Sequence, residues 1–101
     1  MSLNPYTILL VEDDPHIRRF VHAALEGDGC RVVESDTMQH GRIEAGTRKP
    51  DMVILDLGLP DGDGRQFVTD LRTWSSMPVL VLSARAAEVD KIDVLDAGAD
   101  D

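Results

Sequence analysis

Residues 51–56, Asp51-Met52-Val53-Ile54-Leu55-Asp56, decide the reading of the chain. Four apolar side chains follow one another and stop at a carboxylate. A half-buried strand alternates apolar and polar residues, whereas an unbroken short run fits a strand covered on both faces. Ile8-Leu9-Leu10-Val11 repeats the pattern and stops at Glu12-Asp13-Asp14. Val79-Leu80-Val81-Leu82 repeats it after Pro78 and stops at Ser83. Arg31-Val32-Val33-Glu34 is a shorter, more polar strand.

Helical stretches separate these runs. Asp14 caps the first, with Pro15 at its first position and Gly27 at its end. Ile17, Phe20, Val21 and Ala24 form its apolar stripe. A second helix spans about 36–45, turns Met38, Gly41 and Ala45 inward, and is stopped by Gly46, Arg48-Lys49 and Pro50. Leu59-Pro60-Asp61-Gly62 reads as a type I turn. Asp63 and Gln66 form a capping box for a third helix carrying Phe67, Leu71 and Trp74. A fourth helix covers about 87–97, with Gly98 as its stop. Strands alternating with helices imply right-handed βαβ units. The expected fold is therefore α/β, a doubly wound parallel sheet with strand order 2-1-3-4.

Composition narrows the function. The chain has 101 residues, 43% hydrophobic and 29% charged, which suits one small domain. Ten basic residues against nineteen acidic ones give a formal charge of −9. That balance argues against gripping nucleic acid or an anionic membrane directly. Cys30 is the only cysteine, so an intrachain disulfide and a cysteine zinc site are excluded. The first apolar run is too short for a signal peptide or a span, and a cytoplasmic protein is expected. Residues 1–6 read as a leader or cloning remnant, and 7–101 as the domain.

Ligands of open parallel sheets bind beyond the carboxyl ends of the strands. Those ends carry Glu12 and Asp13, Asp56, and Ser83. Each has a plain reading as a cap or turn residue. Together they place three carboxylates and a hydroxyl in one crevice. Crowded carboxylates repel, and a divalent cation relieves the repulsion. All-oxygen ligands suit Mg²⁺, and Mg²⁺ beside a carboxylate nucleophile suits phosphoryl chemistry.

Four stretches carry a resemblance: LLVEDD, DMVILDLGLPDGDG, PVLVLSAR and KIDVLDAGADD. They resemble the receiver domain of two-component response regulators. DLGLPDGDG with DLRTWS and LSAR is similar to the OmpR-like winged-helix subfamily, and within it to regulators of potassium-transport operons. The resemblance implies that Asp56 is the phosphoacceptor, supplied by a sensor histidine kinase. It implies Mg²⁺ bound by Asp13, by Glu12 through water, by Asp56 and by the Gly58 carbonyl. It assigns Ser83 as the switch hydroxyl, with Ala84 leaving room beside it. It implies a homodimer on activation, and DNA contact only through a separate C-terminal domain. The family's fifth strand, its lysine and its fifth helix have no counterpart in these residues. The expectation is a receiver truncated before the fifth strand, with the fourth strand at a sheet edge.

Other features have plainer readings. His16, His22 and His40 lack metal-ligand spacing and read as surface or partly buried groups. Cys30 reads as a small buried hydrophobe and Trp74 as an anchor at the end of its helix. Asp61-Gly62-Asp63-Gly64 lacks the remaining ligands of a calcium loop, since Arg72 stands where the terminal Glu belongs. His16, Arg18 and Arg19 form either a solvated face or, by the resemblance, a kinase-docking face. Asp90, Asp93 and Asp96 form either a solvated face or part of a dimer contact. Three alternatives to phosphoacceptance stay open here. They are a phosphate-independent dimerisation module, a small phosphatase (disfavoured by Gly58 two residues after Asp56) and a flavin module, whose phosphate Glu12-Asp13-Asp14 would repel.

Overall fold

A computed structural model describes residues 6–56 and 64–82. The turn at 59–62, the Asp63 cap, Gly58, Ser83 and the helix expected at 87–97 with its three aspartates lie outside the described residues. The elements run β1 (Thr7–Val11), α1 (Pro15–Gly27), β2 (Arg31–Ser35), α2 (Met38–Arg48), β3 (Met52–Asp56), α3 (Gly64–Arg72) and β4 (Val79–Leu82). All strand pairs are parallel, in the order β2-β1-β3-β4, as expected.

The pleat sorts each strand between two layers. Leu9, Val11, Val53, Leu55 and Val79 face α2 and α3, where Met38, Ala45, Phe67, Val68 and Leu71 complete a buried core. Ile8, Leu10 and Ile54 face the opposite way, toward Val21 and Leu25 of α1. This double burial explains why β1 and β3 show no alternation.

Asp14 caps α1 as expected, accepting from His16 N at 2.8 Å and Ile17 N at 3.2 Å, with Pro15 at the start. The apolar stripe of α1 is a correction. Phe20 is 77% exposed, Ile17 and Ala24 are also exposed, and α1 has no fully buried residue. The helix instead rests on Val21 and Leu25, one turn apart. The i, i+3, i+4 pattern admits two neighbouring faces, and the sheet selects the one through Leu25.

The start of α2 also differs. Thr37 is its cap, with Oγ1 accepting from His40 N at 3.1 Å. Met38, Gly41 and Ala45 are buried as expected. Gly46 does not stop the helix, which runs on to Arg48. Lys49 takes the left-handed conformation (φ 47°) that ends it, ahead of Pro50. In α3, Phe67 and Leu71 are buried, whereas Trp74, beyond the helix end, is 51% exposed and lies at the edge of a shallow cavity lined also by Phe67 and Leu71. The side chain of Gln66 donates to Asp70 Oδ1 at 2.8 Å within the helix. Arg72 ties the following loop by donating to Met77 O at 2.7 Å.

Gly41 sets how closely α2 approaches β1. A Cβ there would meet Val11 Cγ2 at 3.0 Å and Phe67 Cε2 at 3.3 Å, both buried. A Cβ at Gly46 would meet nothing within 4 Å. Gly46→Ala should therefore gain about 0.5–1 kcal/mol from helix propensity alone. Gly41→Ala should forfeit that gain to overpacking of about 1–3 kcal/mol and be destabilising overall. Urea unfolding of the two variants checks this, and equal stabilisation by both would contradict the close contact.

Candidate metal centre

The parallel register brings the acidic residues together. Val11 pairs with Leu55, so the next residues, Glu12 and Asp56, stand side by side at the carboxyl end of the sheet. Glu12 is 2% exposed and Asp56 7% exposed, although both are carboxylates. Asp13 is half-buried. One oxygen from each of Glu12, Asp13 and Asp56 lies within 4.8 Å of the others.

The backbone of this corner is held from several sides. Glu12 N donates to Ser35 O at 2.9 Å, continuing the β1–β2 ladder beyond the strand. Asp14 N donates to Glu12 Oε2 at 3.1 Å. Arg18 N donates to Asp14 O at 2.9 Å, closing the first turn of α1. The guanidinium of Arg18 donates from Nη1 to Glu12 O at 3.0 Å and reaches Asp13 O at 3.5 Å.

The electrostatics are those of an overcrowded anion site. Burial, a hydrogen bond with Asp56 and the charge of Asp56 push the Glu12 carboxyl from its ordinary 4.5 up to about 7. The Asp14 N–H, which favours the charged form, opposes them. Asp13 Oδ1 is buried with no hydrogen-bond partner. A buried orphan oxygen, a carboxyl driven to keep its proton and a third carboxylate within reach form a donor set that fits a hard divalent cation. Glu12, Asp13 and Asp56 are thus brought together as the sequence pattern anticipates. Gly58 and Ser83 belong to segments that are not described.

Residues 8–101 match the family model for the response regulator receiver domain. The chain belongs to that family. It is 66% identical over 94 residues to the KDP operon transcriptional regulatory protein KdpE of Escherichia coli, covering 93% of this chain and 42% of that protein. It is 44% identical over 94 residues to KdpE of Mycobacterium tuberculosis, with the same coverage. The chain therefore spans less than half the length of these relatives. Among solved structures, the BeF3-activated N-terminal receiver domain of Klebsiella pneumoniae RstA aligns with a TM-score of 0.85 at 31% identity, covering 92% of this chain and 80% of that one. A response regulator from Chloroflexus aurantiacus aligns at 0.89 and 29% identity, covering 97% and 83%.

Two features of this receiver were not readable as site features. Arg18 reads in sequence as part of a polar helix face, yet it binds the carbonyl of Glu12. Ser35 is buried beside Glu12 with Oγ lacking a hydrogen-bond partner. Neither carries a motif, because both depend on the β1–β2 register. Two of the three histidines hold surface pairs. His22 faces Glu34 and Glu26, and His40 faces Glu44. The hydrogen bond to Glu34 raises the His22 pKa. Among the described residues no helix is long and apolar enough to cross a membrane.

A pH signature follows. The folded Glu12 carboxyl holds its proton more tightly than the unfolded one. Between about 4.5 and 7 the folded state binds more protons, so stability falls as pH rises through that window. His22 shifts in the same sense and loses its contribution as pH rises through its folded value. Magnesium separates the two, since it competes only with the proton on Glu12. At pH 8 a hundredfold excess of Mg²⁺ over its Kd should restore about 2.7 kcal/mol. Urea midpoints at pH 5 and pH 8, with and without Mg²⁺, check this. A pH 8 midpoint indifferent to Mg²⁺ would exclude the cation site.

Proposed function

We propose that this chain is the Mg²⁺-dependent phosphoacceptor domain of a two-component transcriptional regulator, with Asp56 as the acceptor. The observation that supports it most is the buried convergence of Asp56 with Glu12 and Asp13 at the ends of β3 and β1. An Asp56 carboxylate oxygen attacks phosphorus of a phosphohistidine on the sensor kinase. The new O–P bond forms as the P–N bond breaks, and the histidine nitrogen leaves with the electron pair. The product is an acyl phosphate. Asp13 and Asp56 would hold Mg²⁺ directly, Glu12 through water and the Gly58 carbonyl as a further protein ligand, and the ion would supply charge neutralisation for the transferring group. The fold keeps Glu12 and Asp13 fixed and bulk water away from the carboxylates. Ser83, directly after β4, is the switch hydroxyl of this reading.

In this reading residues 7–101 form the receiver unit and 1–6 a leader. The protein is a cytoplasmic switch rather than a turnover enzyme. It dimerises on phosphorylation and reaches DNA through a separate domain. The likeness to the KdpE proteins extends the reading to control of potassium-transport genes.

Intact mass spectrometry after incubation with acetyl phosphate and Mg²⁺ tests the chemistry. One phosphoryl adduct is expected, abolished by EDTA and by Asp56→Asn. A folded chain that takes no adduct, or an Asp56→Asn variant that still takes one, would overturn it.

A further inference from the structure

The loop that aims Glu12 and Asp13 belongs to neither β1 nor α1. Repulsion among three carboxylates pushes it open, so something must hold its peptides in place. Arg18 is placed to do so. Its side chain is 24% exposed, and its planar fork works on two sides. Nη1 donates to Glu12 O at 3.0 Å and approaches Asp13 O at 3.5 Å. Nε lies 3.5 Å from Glu34 Oε1 on β2. Glu34 is steadied in turn by His22 Nδ1 at 2.6 Å. Glu34 pairs with Leu10 of β1, so the clamp ties the loop after β1 to the neighbouring strand β2.

We propose that Arg18, buttressed by Glu34, is a positioning residue for the cation site, fixing the Glu12 and Asp13 peptides so that both carboxylates converge on Asp56. It touches neither the cation nor the reacting atoms and acts through the two carbonyls. The proposal rests on the phosphoacceptor reading for its purpose, but its geometry stands without it. Outer groups that orient metal ligands typically change affinity by about 10–100-fold when removed. A lysine carries a single ammonium and cannot serve the carbonyls and Glu34 together.

The test measures Mg²⁺ affinity of the full chain by titration calorimetry, alongside amide hydrogen exchange at Asp13 and Asp14 without Mg²⁺. Arg18→Gln should weaken Mg²⁺ binding about tenfold. Arg18→Lys should fall between it and the unaltered chain. Glu34→Gln should weaken binding less than Arg18→Gln, and the double variant should be no weaker than Arg18→Gln alone, because both act through one clamp. Phosphorylation by acetyl phosphate should need more Mg²⁺ but reach nearly its usual rate at saturation, a split that general destabilisation would not produce. The Asp13 and Asp14 amides should exchange faster in Arg18→Gln. Unchanged Mg²⁺ affinity in Arg18→Gln, or losses that multiply in the double variant, would overturn the proposal. If the unaltered chain binds no Mg²⁺, the phosphoacceptor reading fails, and the exchange measurement decides the clamp alone: unchanged protection at Asp13 and Asp14 overturns it.

Discussion

Carboxylates that would separate in water are held within 4.8 Å of one another at the end of a parallel sheet. Everything around them answers to that constraint. Hydrogen-bonded parallel strands lie about 4.8 Å apart. The β1–β3 register therefore sets Glu12 beside Asp56. Charges taken out of water at such spacing raise the free energy of the fold unless a proton or a cation neutralises them. The strands beneath must be rigid enough not to yield. Leu9, Leu10, Val11, Val53 and Leu55 are fully buried, and close-packed interiors deform little. Stability is thus concentrated directly under a corner that opposes it.

The two sheet faces contribute unequally. Toward α2 and α3 the core is continuous from Leu9 to Phe67, and Gly41 lets α2 close on Val11, the residue before Glu12. Toward α1, among the described residues, only Ile8, Leu10 and Ile54 are buried, while Leu80, Leu82, Val21 and Leu25 are partly covered. Phe20 and Ile17 remain open among the described residues. The corner is accordingly braced from behind by packing and from the α1 side by polar contacts. Asp14 caps the helix, and Arg18 spans from the loop to β2.

What was legible in the sequence follows from which signals are local. An apolar run ending in a carboxylate is local, so the strands, their order and the meeting of Glu12, Asp13 and Asp56 could be read from the chain. The Asp14-Pro15 start of α1 is local too. The rotation of α1 is not. Of the stripe Ile17-Phe20-Val21-Ala24 read from periodicity, Val21 packs on the sheet, and only the sheet surface selects the neighbouring face that joins it to Leu25. Gly46 shows a weak local rule overridden. A glycine in an exposed helix costs about 1 kcal/mol, which α2 tolerates by ending instead at a left-handed Lys49 before Pro50. Trp74 lies just past its helix, where periodicity no longer fixes direction. Arg18 was hidden because it acts on backbone carbonyls, which carry no sequence signal, and on Glu34, which only the sheet brings near it.

A phosphoryl group on Asp56 would add further negative charge to a corner that already exceeds what it can hold ionised. The packed strands beneath absorb little of that change, because β1 and β3 are buried on both faces and close-packed interiors deform little. The response has to fall outside these two packed strands. Glu12 and Asp13 sit on the other side of the crevice, tied to β2 through Ser35 and to α1 through Asp14 and Arg18. The asymmetry is physical. One wall of the crevice is cross-linked to two neighbouring elements. The opposite wall is Asp56, the last residue of β3, paired with Leu82 of β4. A charge added between these walls changes the balance of the corner and leaves the packed core beneath it intact, which is the requirement for a switch that signals without unfolding its core.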